Sequence, residues 1–189
     1  MKKTNTIKTL LTILGLIILT TTFSQSTINP DTVCVGATGE NYWVTNNAGS
    51  TYNWTVNGGG GNITAGQGTS QISINWGNTP GLYPTAVTVV ETNSFGCTDT
   101  IDLDIFILLP QFTQVGPFCE GDPCVSLIGN PANGTWTGSG VQPSGNAYEY
   151  CPTISGVGNF NLTYTFGGCS IIMNVVVNPT PILGPINHN

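Results

Sequence analysis

The chain has 189 residues, of which only 6% are charged, where about a quarter is usual for a soluble domain. Nine acids stand against three basic residues, and those three, Lys2, Lys3 and Lys8, all fall in the first eight positions. Beyond them no Lys or Arg exists to neutralise phosphates, which argues against nucleic-acid, nucleotide and anionic-membrane partners.

Lys2, Lys3 and Lys8 precede an apolar run from Leu10 to Leu19, and Thr22-Phe23-Ser24 follows with small residues. This order reads as a secretory signal peptide over residues 1–24, cut after Ser24. The run is too short for a membrane span, and the lack of a cysteine at the cut argues against a lipid anchor. The exported part then carries nine acids and His188 as its one ionisable base. Good helix formers are scarce in it.

A first module is expected over residues 30–110. Ile72, Ile74 and Trp76 alternate with Gln71, Ser73 and Asn75. Val87 and Val89 alternate with Ala86 and Thr88, and Ile101, Leu103, Ile105 and Ile107 alternate with Asp102, Asp104 and Phe106. Period-two alternation of this kind describes strands with one buried and one wet face. A second module is expected over 112–178. There Phe160, Leu162, Tyr164 and Phe166 alternate with Asn and Thr, and Ile171, Met173, Val175 and Val177 follow the same rule. Glycine and proline clusters separate the runs. The chain reads as all-β, two tandem immunoglobulin-like sandwiches after a cleaved leader.

The modules echo one another. Cys34-Val35-Gly36 matches Cys119-Glu120-Gly121, Tyr52-Asn53-Trp54-Thr55 matches Gly134-Thr135-Trp136-Thr137, and Gly96-Cys97-Thr98 matches Gly168-Cys169-Ser170. Six cysteines, all in the exported part, point to disulfides. With Trp54 between Cys34 and Cys97, and Trp136 between Cys119 and Cys169, the expected pairs are Cys34–Cys97 and Cys119–Cys169, leaving Cys124 for Cys151.

Residues 179–189 form a linker-like tail. Asn178-Pro179-Thr180-Pro181 precedes three apolar residues, Ile182, Leu183 and Ile186, expected to dock on a partner, with strand addition as one mode.

The motifs Cys34-Val35-Gly36, Gly49-Ser50-Thr51-Tyr52-Asn53-Trp54-Thr55-Val56, Ala65-Gly66-Gln67-Gly68-Thr69, Ile74-Asn75-Trp76-Gly77 and Val89-Val90-Glu91-Thr92-Asn93 with Gly96-Cys97 closely resemble the PKD-like modules of surface proteins in gliding bacteria that use type IX secretion. Phe118-Cys119-Glu120-Gly121, Gly134-Thr135-Trp136, Gly156-Val157-Gly158 and Gly168-Cys169-Ser170 resemble the Ig-like repeats that accompany them, from which Cys124 and Cys151 depart. The resemblance implies a non-catalytic array that is extracellular, on the cell surface or periplasmic. It implies a role in adhesion or motility and partners among surface or secretion-associated proteins.

Chemistry finds little support. A Ser or Cys nucleophile needs a base, and His188 lies next to the last residue. No motif singles out a pair of carboxyls for glycoside hydrolysis. No enzyme activity and no resident cofactor is expected. Asp99, Asp102 and Asp104 on one strand, and Glu120 with Asp122 on a turn, are candidate Ca²⁺ ligands, set against the plainer reading of a solvated face. The competing functional class is carbohydrate binding, in which Tyr42, Trp43, Tyr148 and Tyr150 would expose stacking faces.

Overall fold

The computed structural model describes residues 30–188. The expected leader, residues 1–24, lies outside them. Among the described residues no helix is long and apolar enough to cross a membrane.

The strands of the first sandwich, in chain order, are β1 (Asp31–Cys34), β2 (Glu40–Trp43), β3 (Thr51–Val56), β4 (Asn62–Ala65), β5 (Gln71–Asn75), β6 (Gly81–Thr92) and β7 (Thr98–Leu108). They form a four-stranded sheet, β1-β7-β6-β3, facing a three-stranded one, β2-β5-β4. β1 runs parallel to β7, with Asp31 opposite Ile105 and Cys34 opposite Leu108. Inward residues of both sheets make the core: Ile72, Ile74 and Trp76 from one side, Trp54, Val87, Val89, Ile105 and Ile107 from the other.

The second sandwich contains β8 (Gln111–Phe112), β9 (Phe118–Cys119), β10 (Val125–Leu127), β11 (Gly129–Asn130), β12 (Thr135–Thr137), β13 (Val141–Ser144), β14 (Ala147–Tyr150), one helical turn α1 (Pro152–Ser155), β15 (Gly158–Phe166) and β16 (Cys169–Asn178). Its sheets are β12-β15-β16-β9 and β10-β14-β13, with β8 and β11 paired alongside. β9 runs parallel to β16, with Cys119 opposite Asn178. The strand order is that of the first sandwich. A separate core gathers Trp136, Tyr150, Leu162, Tyr164, Met173, Val175 and Val177.

Local chemistry explains the recurrent tryptophans. Trp54 buries its ring and donates its indole N–H to the Thr69 carbonyl at 2.8 Å. Its backbone lies on the outer edge of β3, where the Gln67 amide stands in for a neighbouring strand. Gln67 Oε1 accepts the Trp54 N–H at 3.0 Å and Gln67 Nε2 donates to the Trp54 carbonyl at 2.8 Å. The Gly66-Gln67-Gly68 loop thus closes a sheet edge that would otherwise present unpaired groups. In the second core Tyr164 packs on Trp136, ring centres 4.9 Å apart. Its hydroxyl donates to the Pro131 carbonyl and accepts the Gly134 N–H. A Cβ on Gly134 would stand 2.3 Å from the Tyr164 ring, so only glycine fits there.

The cysteine pairing differs from expectation. Cys34 bonds Cys169 across the two sandwiches, and Cys124 bonds Cys151 within the second. Cys97 and Cys119 are free and exposed. The physical reason is the register of β1. Cys34 lies level with Leu108, the last residue of the 11-residue β7, whereas Cys97 precedes its first. At about 3.3 Å per residue that separation is roughly 35 Å, far beyond a disulfide. The same holds for Cys119, level with the end of β16, and Cys169 at its start.

Candidate functional site

The joint between the sandwiches is built around a disulfide. β1 ends at Cys34, where Val35 donates its N–H to the Leu108 carbonyl at 3.0 Å and Ala37 donates to the Cys34 carbonyl at 3.1 Å. β15 and β16 form a hairpin through Gly167-Gly168, with Phe166 opposite Cys169. Cys34 and Cys169 meet with Cα atoms 5.4 Å apart. Leu108 and Pro110 are buried beside them, and a Cβ on Gly167 would come within 3.2 Å of Leu108 Cδ2. The glycine lets the hairpin sit against the first sandwich.

The acids do not converge as the sequence suggested. Asp99 is an odd number of residues from Asp102 and Asp104, so it lies on the opposite face of β7. Its directly opposite neighbour is Glu91 on β6. There Asn47 donates to both Glu91 carboxylate oxygens, at 2.9 and 3.1 Å. Hydrogen bonds from Ser50 and Asn47 hold the Glu91 carboxyl below its ordinary range. Glu91, Asp99, Asn47 and Ile101 border a shallow cleft of about 200 Å³. Asp104 has a structural partner. Thr85, at φ +48° in the β6 irregularity between Tyr83 and Val87, donates its N–H to Asp104 Oδ1 at 2.7 Å. Asp122 closes a turn by accepting the Cys119 N–H at 2.7 Å, and Glu120 is exposed beside it.

Among the described residues, the grouping of three metal-capable side chains is Cys124, Glu149 and Cys151. Its two sulfurs are bonded to each other, so they offer no thiolate to an ion. His188 is exposed in the tail.

The proposed aromatic platform is broken up. Tyr42 is buried, its hydroxyl accepting the Trp76 indole N–H at 3.1 Å, and Tyr150 is fully buried. Tyr42 and Trp43 are consecutive in β2 and therefore point to opposite faces. Trp43 remains 62% exposed on the first sandwich, and Tyr148 is half-buried on the second. Ile182, Leu183 and Ile186 are almost wholly exposed.

A PKD-like domain family model matches residues 20–105, which take in most of the first sandwich. The first sandwich is thus similar to PKD-like domains. No curated protein matches it. Among solved structures, the insect immune protein hemolin, whose domain arrangement is described as having implications for homophilic adhesion, is similar at 16% identity with a TM-score of 0.38. That alignment covers 82% of this chain and 46% of hemolin. An I-band fragment of titin matches at 12% identity and TM-score 0.40, covering 79% of this chain and 62% of the fragment. Extracellular domains of Drosophila OTK match at 10% identity and TM-score 0.28, covering 84% of this chain and 68% of theirs. The chain spans under two thirds of the first two, and likenesses this loose fix neither strand order nor function.

Proposed function

We propose that this protein is an exported, non-catalytic spacer and adhesion element that holds contact surfaces at a fixed distance and orientation outside the cell. The observation that carries the reading is the Cys34–Cys169 bridge. It ties together two sandwiches that already have separate cores, so its job is to hold one sandwich against the other. Disulfides of this kind form and persist in oxidising, exported locations. The PKD-like match over the first sandwich supports an interaction role. The resemblance of its motifs to modules of gliding, type IX-secreting bacteria supports a role at the surface or in motility.

Contact is assigned to the exposed apolar tail, Ile182, Leu183 and Ile186, which follows the Asn178-Pro179-Thr180-Pro181 linker. Protease shaving and antibody labelling of intact cells test the location. An inaccessible, wholly internal protein contradicts the reading. Loss of cell–surface attachment in a deletion strain, restored by the wild-type chain, tests the role. Retention on glycan arrays that depends on Trp43 would favour the carbohydrate class instead.

A further inference from the structure

The two free thiols stand at the two positions that the joint uses. Cys119 ends β9 as Cys34 ends β1, in the same backbone cradle. Glu120 donates its N–H to the Asn178 carbonyl at 2.9 Å, as Val35 does to Leu108 at 3.0 Å. Asp122 donates to the Cys119 carbonyl at 3.0 Å, as Ala37 does to Cys34 at 3.1 Å. Cys97 follows Gly96 and immediately precedes β7, as Cys169 follows Gly168 and opens β16. Each sandwich thus has one strand-end cysteine and one hairpin cysteine. In the chain, the strand-end cysteine of the first is bonded to the hairpin cysteine of the second. The remaining hairpin cysteine, Cys97, and strand-end cysteine, Cys119, are exposed.

We propose that Cys119 of one copy bonds Cys97 of a second copy, repeating the internal joint head to tail between molecules. The occupied Cys34–Cys169 joint supplies the independent observation, since the same pair of positions is already bonded within this chain. The surroundings are complementary in size. At the internal joint the position two before the hairpin cysteine is Gly167, packed on the large Leu108. At the free ends these positions hold Phe95, 89% exposed, and the smaller Asn178. The bulky residue has moved to the other partner. Within one chain Cys97 and Cys119 are not bonded to each other, and each lies at the end of its sandwich away from the joint. Cys97 is separated from Cys34 by the 11 residues of β7, and Cys119 from Cys169 by the 10 residues of β16. Each free thiol is therefore about 30–35 Å from the internal bridge. A head-to-tail contact uses different patches on each copy, so it builds open chains or rings rather than two-fold dimers.

The chemistry balances with a small disulfide, such as oxidised glutathione, as oxidant. The thiolate of Cys119 attacks a glutathione sulfur, releasing one glutathione thiol and leaving a mixed disulfide. The Cys97 thiolate of the second copy then attacks the Cys119 sulfur and releases the second glutathione. Two protein thiols are oxidised and one glutathione disulfide is reduced to two thiols.

The test uses the full exported chain, Cys97→Ser and Cys119→Ser variants, and a glutathione redox buffer, read on non-reducing gels. Wild type is expected to give a ladder of multimers. Neither variant alone is expected to dimerise, while their mixture gives a dimer. Acid-residue-specific protease should release from it a single linked peptide pair containing Cys97 and Cys119; trypsin has no site beyond Lys8. The same peptide map on wild-type multimers serves if a variant does not fold. Wild type that stays wholly monomeric in the redox buffer, like-with-like Cys97 or Cys119 dimers, or an intrachain Cys97–Cys119 link would each overturn the proposal.

Discussion

The buried phenol of Tyr42 accepts the Trp76 indole N–H, with the two rings edge to face at 6.2 Å. Burial, first of all, pushes its pKa well above the ordinary value. The fold therefore favours the protonated phenol. Its contribution is intact below the unfolded-state pKa of about 10 and is lost as pH rises beyond it. Thermal melts across pH 8–12 should show stability falling above about pH 10. Tyr42→Phe should shallow that fall, while costing roughly 1 kcal/mol at neutral pH through the lost acceptor. In the second core, Gly134→Ala drives a methyl into the Tyr164 ring and should cost about 1–3 kcal/mol or more in denaturant titration. Trp136→Ala opens a cavity there and should cost about 3–5 kcal/mol. At this scale the sequence was legible for Trp76, buried as its alternation with polar neighbours placed it; Trp54 and Trp136 are buried as well. It misled for Tyr42 and Tyr150, because composition does not say which face of a short strand an aromatic takes. Only in alternating runs does the pattern fix the face.

Among the elements, long alternating runs announced themselves. Ile72 and Ile74 on β5, Ile105 and Ile107 on β7, and Met173, Val175 and Val177 on β16 are all buried where the period placed them. The strands from β8 to β14 are two to four residues long and carry little period to read. β13 even contains Pro143, tolerated because it is an edge strand. The Gln67 side chain that closes the β3 edge was visible only as part of a motif. Gln67→Ala should cost about 1 kcal/mol by leaving the Trp54 N–H and carbonyl to water, measurable as a lower denaturation midpoint and faster amide exchange at Trp54. Asp99 failed as a companion of Asp102 and Asp104 for a reason already in the sequence, since three residues is an odd step along a strand.

For the whole molecule, the repeat was legible and the bridge between repeats was not. Spacing along the chain gave Cys34 and Cys97 a plausible loop, but the parallel β1–β7 register sends them to opposite ends of the sandwich. The bridge closes a separation of 135 residues, which in the chain-entropy model stabilises complete folding by about 5 kcal/mol. Since each sandwich has its own core, the double variant Cys34→Ser with Cys169→Ser should leave both folded. It should broaden the distribution of their relative orientations in small-angle scattering and split one thermal transition into two. The most direct measurement is a non-reducing peptide map of the alkylated, secreted monomer. The expected map has one linked pair joining Cys34 to Cys169, a second joining Cys124 to Cys151, and alkyl groups on Cys97 and Cys119. Linked pairs joining Cys34 to Cys97 and Cys119 to Cys169 would contradict it.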